Sequence, residues 1–285
     1  MGRVEGKVIA ITGAARGQGR SHAVRLAEEG ADIIAIDICK NIESIEYPMA
    51  TAEDLEETAR LVEKAGRRAV TKQADVRDQA ALRAAIDEGV AELGRLDVVV
   101  ANAGISQMGM DRPIRVFTDT VDVNLSGVMN TVHAALPHLG EGSSVIVIGS
   151  AAALVSGHED GGPNGPMGPG GAAYRFAKQA LVSYVNFLAI QLAPSGRRIN
   201  AVHPANVNTQ MLHNEAMYKI FRPDLEHPTR EDAEVTFPFV QAMPIPYVEP
   251  LDVTHAVTYL ASDESRYVTA LQLKVDAGCL VKTGR

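Results

Sequence analysis

Short β-branched runs alternate with longer amphipathic segments along the whole chain, and this alternation constrains the fold more than any other feature. KVIAIT, ADIIAID, RRAVTKQAD, RLDVVVANAG, SSVIVIGS, RRINAVHP and ALQLKVDAG read as strands. Between them, GRSHAVRLAEEGA, TAEDLEETARLVEKAG, DQAALRAAIDEGVAELG, the segment around 113–138, AAYRFAKQALVSYVNFLAIQLA and PLDVTHAVTYLASD read as helices. The pattern predicts an α/β fold: a doubly wound, seven-stranded parallel sheet with helices on both faces. Near-continuous apolar strands, such as residues 98–101, fit burial from both sides. With no internal repeat or long linker, the 285 residues read as one domain, 1–285. Insertions at 38–51 and 157–171 and a loop at 205–250 interrupt its economy, and long loops in a compact domain usually carry function.

Composition removes several classes of partner. The net charge is −8 and no block of Lys or Arg stands out, so neither nucleic acid nor an anionic membrane is an expected partner. Cys39 and Cys279 are too few for a disulfide framework or a cysteine metal site, which suits a reducing compartment. His158, Glu159 and Asp160 are consecutive and so poorly placed to converge on one ion, and no metal is expected. MGRVEGKVIAITG has no signal-peptide core, and the most apolar run, VIVIGSAAALV, is too short to span a bilayer. A cytoplasmic location is the plain expectation.

The chemistry begins at ITGAARGQG, residues 11–19. Gly13, Gly17 and Gly19 fall between the first strand and the first helix, where missing side chains let backbone approach a diphosphate and helix amides face its charge. Such a loop alone is also an ordinary tight turn. Asp37 points the reading toward a dinucleotide, because it closes the second strand, about 20 residues on, where a carboxylate accepts hydrogen bonds from ribose hydroxyls. Arg16, beside Gln18 in the loop, pulls the other way: a guanidinium could grip the 2′-phosphate of NADP, which Asp37 would repel. A carboxylate at the ribose edge both favours the free hydroxyl and penalises phosphate, so NAD is the expected cofactor. Tyr174 and Lys178 lie four apart on a helix and share a face. A nearby ammonium favours phenolate, making Tyr174 a candidate general base.

The spacing T-G-x-x-x-G-x-G, with the landmarks that follow it, resembles the short-chain dehydrogenase/reductase family over essentially the whole chain. The resemblance implies a Rossmann fold and assigns further residues. Asp75 and Val76 resemble the adenine-contact site, and Asn102 and Gly104, in ANAG, the turn beside the cofactor. Asn124 in VDVNLSG, Ser150 in VIVIGS, and Tyr174 and Lys178 in YRFAK match the catalytic set. In that set Ser150 bonds the substrate oxygen, Lys178 also binds the nicotinamide ribose, and Asn124 holds a water that relays protons. Val207 and Thr209, in HPANVNT, resemble the segment that receives the nicotinamide. Ala205 and Asn206 depart from the usual Pro-Gly turn there, and Ala270 stands where Gly is common.

ICKNIESIEYPMATAEDLEET, after Asp37, is similar to the mycofactocin-associated subgroup, which includes carveol dehydrogenases. That similarity implies NAD held by the insertion and electrons passed to a separate redox carrier, and the wider family implies a homotetramer. Met211, Met217, Phe221, Phe237, Phe239, Met243 and Tyr247 supply apolar surface for a hydrophobic secondary alcohol or ketone such as a terpenoid, or equally for core or interface. The expected reaction is hydride transfer between such a substrate and tightly held NAD. An NADP-dependent carbonyl reductase and a non-catalytic nucleotide-sensing protein are the alternatives.

Overall fold

A computed structural model describes residues 2–154 and 167–282. Among the described residues, seven strands form one parallel sheet in the order β3-β2-β1-β4-β5-β6-β7, as the alternation predicts. The strands are β1 (Val8–Thr12), β2 (Asp32–Asp37), β3 (Ala69–Gln73), β4 (Leu96–Ala101), β5 (Leu139–Ile148), β6 (Arg198–Pro204) and β7 (Gln272–Val275). The helices are α1 (Gly17–Glu28), α2 (Ala52–Lys64), α3 (Gln79–Leu93), α4 (Arg115–Val121), α5 (Gly127–Ala135), α6 (Gly168–Leu192), α7 (Glu215–Phe221), α8 (Arg230–Glu234), α9 (Pro250–Ala261) and α10 (Cys279–Lys282). A π-helical turn, Asp122–Ser126, joins α4 to α5.

Alternate strand residues fill two cores, one on each face. Ile34, Ile36, Val99 and Val147 pack with Leu82 and Ile86 of α3, Val132 of α5 and Leu181 of α6. Ile9, Ile11, Val100 and Ile146 pack with Leu26 of α1, Val62 of α2 and Val257 and Leu260 of α9. Each such fully buried aliphatic contributes about 1.5–3 kcal/mol. Buried Arg198 of β6 holds the α9 end to the sheet: Nη1 donates to the Leu260 carbonyl at 2.5 Å and Nη2 to that of Ser262 at 2.9 Å. A cation is favourable there because the last carbonyls of a helix lack intrahelical donors.

β1 lies between β2 and β4, so the chain winds outward one way, returns, and winds outward the other way. The connections leave β1 and β4 on opposite faces and open a crevice at their carboxyl ends, the usual ligand position in such sheets. The 205–250 loop, irregular in the sequence reading, carries α7, α8 and a short 3-10 turn, Phe237–Val240, beside that crevice.

Ala270, before β7, adopts φ +60°, a left-handed conformation that costs a residue with a Cβ about 1–2 kcal/mol. Ala270→Gly should therefore stabilise the protein by up to about 1 kcal/mol after the added chain entropy of glycine is subtracted. Urea unfolding measures this directly, and a lower midpoint in the variant would show that the position carries no strain.

Candidate active site

The glycine loop is a close meeting of backbones. At Gly13, φ +67°, a Cβ would lie 2.9 Å from the Ala103 Cα, and at Gly19 it would overlap the Gly13 carbonyl oxygen. Asn102 ties this turn to the end of β4, its Nδ2 donating to the carbonyls of Thr12 at 2.9 Å and Gly13 at 3.2 Å. α1 starts at Gly17 without a capping side chain, whereas α2 and α3 are capped by Thr51 and Asp78. Its first amides are left for a ligand. Asp37 is buried at the tip of β2, accepting the Ala15 N–H on Oδ2 at 3.0 Å and the Cys39 N–H on Oδ1 at 3.3 Å.

These residues line one elongated cavity. Gly13, Arg16, Gly17 and Gln18 form its floor beside Gly19, with Asp37 at one end. Asp75, Val76, Asn102, Gly104 and Thr209 line it as well. Asp75 is not free: Arg77 grips its carboxylate through Nη2 at 2.7 Å and its own backbone N–H at 3.0 Å. The Arg77 guanidinium and N–H oppose the upward push of burial and hold the Asp75 carboxyl below its usual range.

Insertion 38–51 folds across the cavity rather than away from it. Ile42, Tyr47, Met49 and Ala50 face the cavity. The buried Tyr47 hydroxyl accepts the Ser106 N–H at 3.0 Å, Glu46 N–H reaches Gln107 Oε1 at 2.9 Å, and Ser44 Oγ donates to Asp119 at 2.6 Å. Glu46 also pairs with Arg112. The segment is thus a strap fixed at its far side to the chain after β4. The apolar Ile42, Ile45 and Tyr47, all buried against the core, were the available sequence signal for this docking.

The crevice continues into a second, wider cavity containing Asn124, Ser150, Tyr174 and Lys178. Three segments distant in sequence, carrying Asn124, Ser150 and the Tyr174–Lys178 pair, meet there. Ser150 lies two residues beyond β5, where its hydroxyl interacts with that of Tyr174. Lys178, one turn along α6, is buried, with Nζ donating to the Ile148 carbonyl at 2.7 Å and lying 5.7 Å from the Tyr174 ring centre. Asn124 sits in the π turn, a feature frequent at functional sites, and commits Nδ2 to the carbonyls of Ile105 and Thr120 at 2.8 and 2.9 Å. The electrostatics correct one expectation. Burial raises the Tyr174 pKa above its ordinary value, with the Ser150 hydrogen bond pulling the other way. Lys178 is not among the groups that pull the Tyr174 pKa down, and burial pushes the Lys178 amine itself down to about 8.

The rest of this cavity is mostly apolar. Met211, Met217 and Phe221 line it as expected, together with Val207, and Thr209 borders both cavities. Phe237 instead forms a small separate core with Leu212 and Ala233, against which Tyr247 packs. Phe239 and Met243 are exposed. Met108, Met167, Ile220 and Cys279 also line the cavity, unanticipated because only tertiary packing brings their segments together. His158, Glu159 and Asp160 lie outside the described residues. Among the described residues there is no cluster of three or more metal-binding side chains, and no helix is long and apolar enough to cross a membrane.

The cradle fits a dinucleotide. Glycines stand where a Cβ would intrude, and the buried Oε1 of Gln18 and Nδ2 of Asn206 have no hydrogen-bond partner, although both side chains border the cavities. Comparison with known proteins agrees with this architecture. A family model described as enoyl-(acyl carrier protein) reductase matches residues 13–279. The chain is 46% identical to the (−)-trans-carveol dehydrogenase of Rhodococcus erythropolis, over 99% of this chain and 100% of that one. The crystal structure of carveol dehydrogenase from Mycobacterium avium in complex with NAD shares 46% identity and a TM-score of 0.90, covering 99% of this chain and 100% of that one. A short chain dehydrogenase from Mycobacterium paratuberculosis bound to NAD shares 41% and 0.84, covering 98% and 100%. The chain belongs to the short-chain dehydrogenase/reductase family.

The depressed pKa of Lys178 has a consequence for stability. Between about 8 and the ordinary lysine value of 10.5, the unfolded chain holds a proton that the folded chain has released, so raising pH across this window favours folding. Relative to Lys178→Met, the parent protein should gain stability as pH rises through the window. Parallel unfolding curves that keep a constant separation at each pH would contradict this.

Proposed function

We propose that the protein is an oxidoreductase that moves hydride between a hydrophobic secondary alcohol or its ketone and NAD. The observation that carries this reading is the convergence of Ser150, Tyr174 and buried Lys178 on one mostly apolar cavity that shares Gln18, Asn102, Gly104 and Thr209 with the glycine-lined one. Gly13, Arg16, Gly17, Gln18 and Gly19 would hold the diphosphate, and Asp37 the adenosine ribose. Asp75 and Val76 would border the adenine, with Asn102, Gly104, Val207 and Thr209 on the nicotinamide side. Asp37 supports NAD over NADP, since its carboxylate is fixed by the Ala15 and Cys39 amides and cannot swing away from a 2′-phosphate. Bound NAD supplies the hydride acceptor.

The chain's own groups handle the proton. Tyr174, as phenolate, takes the hydroxyl proton of the alcohol as the C–H bond breaks, and Ser150 Oγ bonds the same oxygen and orients it. In ketone reduction Tyr174 returns that proton. Lys178, when charged, favours phenolate and would bind the nicotinamide ribose. Asn124 has its side-chain amide engaged, which leaves the backbone of the π turn to hold a relay water. Because burial raises the Tyr174 pKa, the oxidation rate should climb with pH into the alkaline range, and ketone reduction should fall over the same range. The carveol-type relatives and the Met-rich wall support a terpenoid-like substrate.

The strap supports retention of NAD, with release requiring Tyr47 and Ser44 to leave Ser106 and Asp119, and with electrons passing to a separate, mycofactocin-like carrier. Exposed Phe176, Phe187 and Ile190 of α6 suit a homotetramer.

Tyr174→Phe should keep the fold and bound nucleotide yet lose at least about a hundredfold in turnover; near-normal turnover would place proton transfer elsewhere. Replacing Asn41 to Ala50 with a Gly/Ser linker should convert a protein that carries NAD through purification into one that cycles on added NAD. Fast cycling with the strap intact would remove the retention proposal and leave the dehydrogenase reading standing.

A further inference from the structure

His203 is buried in β6, within reach of the catalytic serine. Its Nδ1 lies 3.2 Å from the Ser150 amide nitrogen and 2.9 Å from the Ser150 carbonyl oxygen, and its Nε2 lies 2.6 Å from Gln272 Oε1. Gln272 Nε2 in turn donates to Asn186 Oδ1 of α6 at 3.3 Å, which directs the Gln272 oxygen toward the ring. Side chains from β6, β7 and the helix bearing Tyr174 therefore form one polar chain that ends on the Ser150 peptide.

Hydrogen-bond accounting favours one tautomer. The Ser150 carbonyl already accepts the Ala153 N–H at 2.9 Å. Among the described residues, the partner recorded for the Ser150 N–H is His203 Nδ1. Gln272 Oε1 can only accept, so Nε2 carries the proton and Nδ1 offers its lone pair. The neighbouring β6 backbone is not recorded as accepting this N–H: the Val202 carbonyl takes the preceding amide, Gly149 N–H, at 2.7 Å. Gly149 has no side chain to block the ring, since a Cβ there would overlap the imidazole.

We propose that His203 is a positioning residue: by accepting the Ser150 N–H while Gln272 fixes its proton on Nε2, it sets the direction from which the Ser150 hydroxyl meets Tyr174. The inference rests on the reading of Ser150 and Tyr174 as the catalytic pair. The charged groups facing the ring are Lys178 of α6 and Lys274 of β7; burial acts most strongly and, with these cations, outweighs the upward pull of the Gln272 and Ser150 hydrogen bonds and holds His203 below its ordinary pKa. Ser150 is also the N-cap of the short turn Ala151–Ala153, its Oγ accepting the Ala152 N–H at 3.2 Å. A rotated Ser150 peptide would thus change both the cap and the bond to Tyr174.

His203→Leu should lower the rate of alcohol oxidation roughly ten- to a hundredfold, the scale of a small misplacement at a reacting centre. It should also move the alkaline rise of that rate to higher pH, because Tyr174 loses part of the bond that lowers its pKa, while nucleotide content stays at the parent's level. His203→Gln can accept from Ser150 and donate to Gln272, and should restore most of the rate and the original pH limb. If His203→Leu does not fold, Gln272→Leu decides: it frees the tautomer and should shift the same limb in the same direction by less. An unshifted limb in the variant that folds, or His203→Gln as impaired as His203→Leu, overturns the proposal. Tyr174→Phe, assayed alongside, separates the two failures: full activity there removes the catalytic reading itself, whereas an inactive Tyr174→Phe with an unshifted His203 variant removes this inference alone.

Discussion

The hydrogen bond from the Lys178 ammonium to the Ile148 carbonyl joins the long helix α6 to the end of β5, and the proposed catalytic geometry depends on it. Lys178 is fully buried, and a desolvated amine survives in such a place only with a partner. Its partner is the backbone immediately before Gly149 and Ser150, so satisfying the lysine also sets where the strand ends relative to the helix. Tyr174, one turn earlier on the same face, then lies against Ser150. A charge that is costly to bury specifies the site by what it needs.

The two halves of the crevice use different materials. On the nucleotide side recognition falls to backbone, since the glycines remove side chains, α1 begins uncapped, and Asp37 is itself positioned by two backbone amides. On the other side the lining includes Met108, Met211, Met217, Ile220 and Phe221, with polar groups that include Asn124, Ser150, Tyr174 and Lys178. Such a wall binds by area and shape, and the few polar groups decide which atom of the substrate is presented for reaction. The strap belongs to both halves: Tyr47 faces the nucleotide cavity while its hydroxyl holds Ser106, whose segment borders the substrate cavity.

Much of this was legible in the sequence because it is local. The strands and most helices follow from periodicity, the glycine loop from its spacing, and the Tyr174–Lys178 face from a four-residue step on a helix. Ala270, noted for standing where Gly is common, does occupy a left-handed conformation. What could not be read depends on distant contacts. Tyr47 and Ser106 are 59 residues apart, and nothing in either segment names the other. Phe221 and Phe237 look alike in sequence and touch edge to face, yet Phe221 also lines the cavity while Phe237 is wholly buried in a small core, a choice made by how α7 and α8 pack. Lys178 was expected to lower the Tyr174 pKa by proximity, but proximity says nothing of the burial that opposes both charges.

The central claim is that this crevice carries hydride from a carbinol carbon to NAD. It is tested most directly by giving the purified protein a cyclic secondary alcohol deuterated at that carbon, quenching after one turnover and weighing the nicotinamide nucleotide by mass spectrometry. The account predicts reduced nucleotide carrying the deuterium, formed more slowly than with the undeuterated alcohol. Reduced nucleotide without deuterium, or ketone formed with no change in the nucleotide, would contradict it.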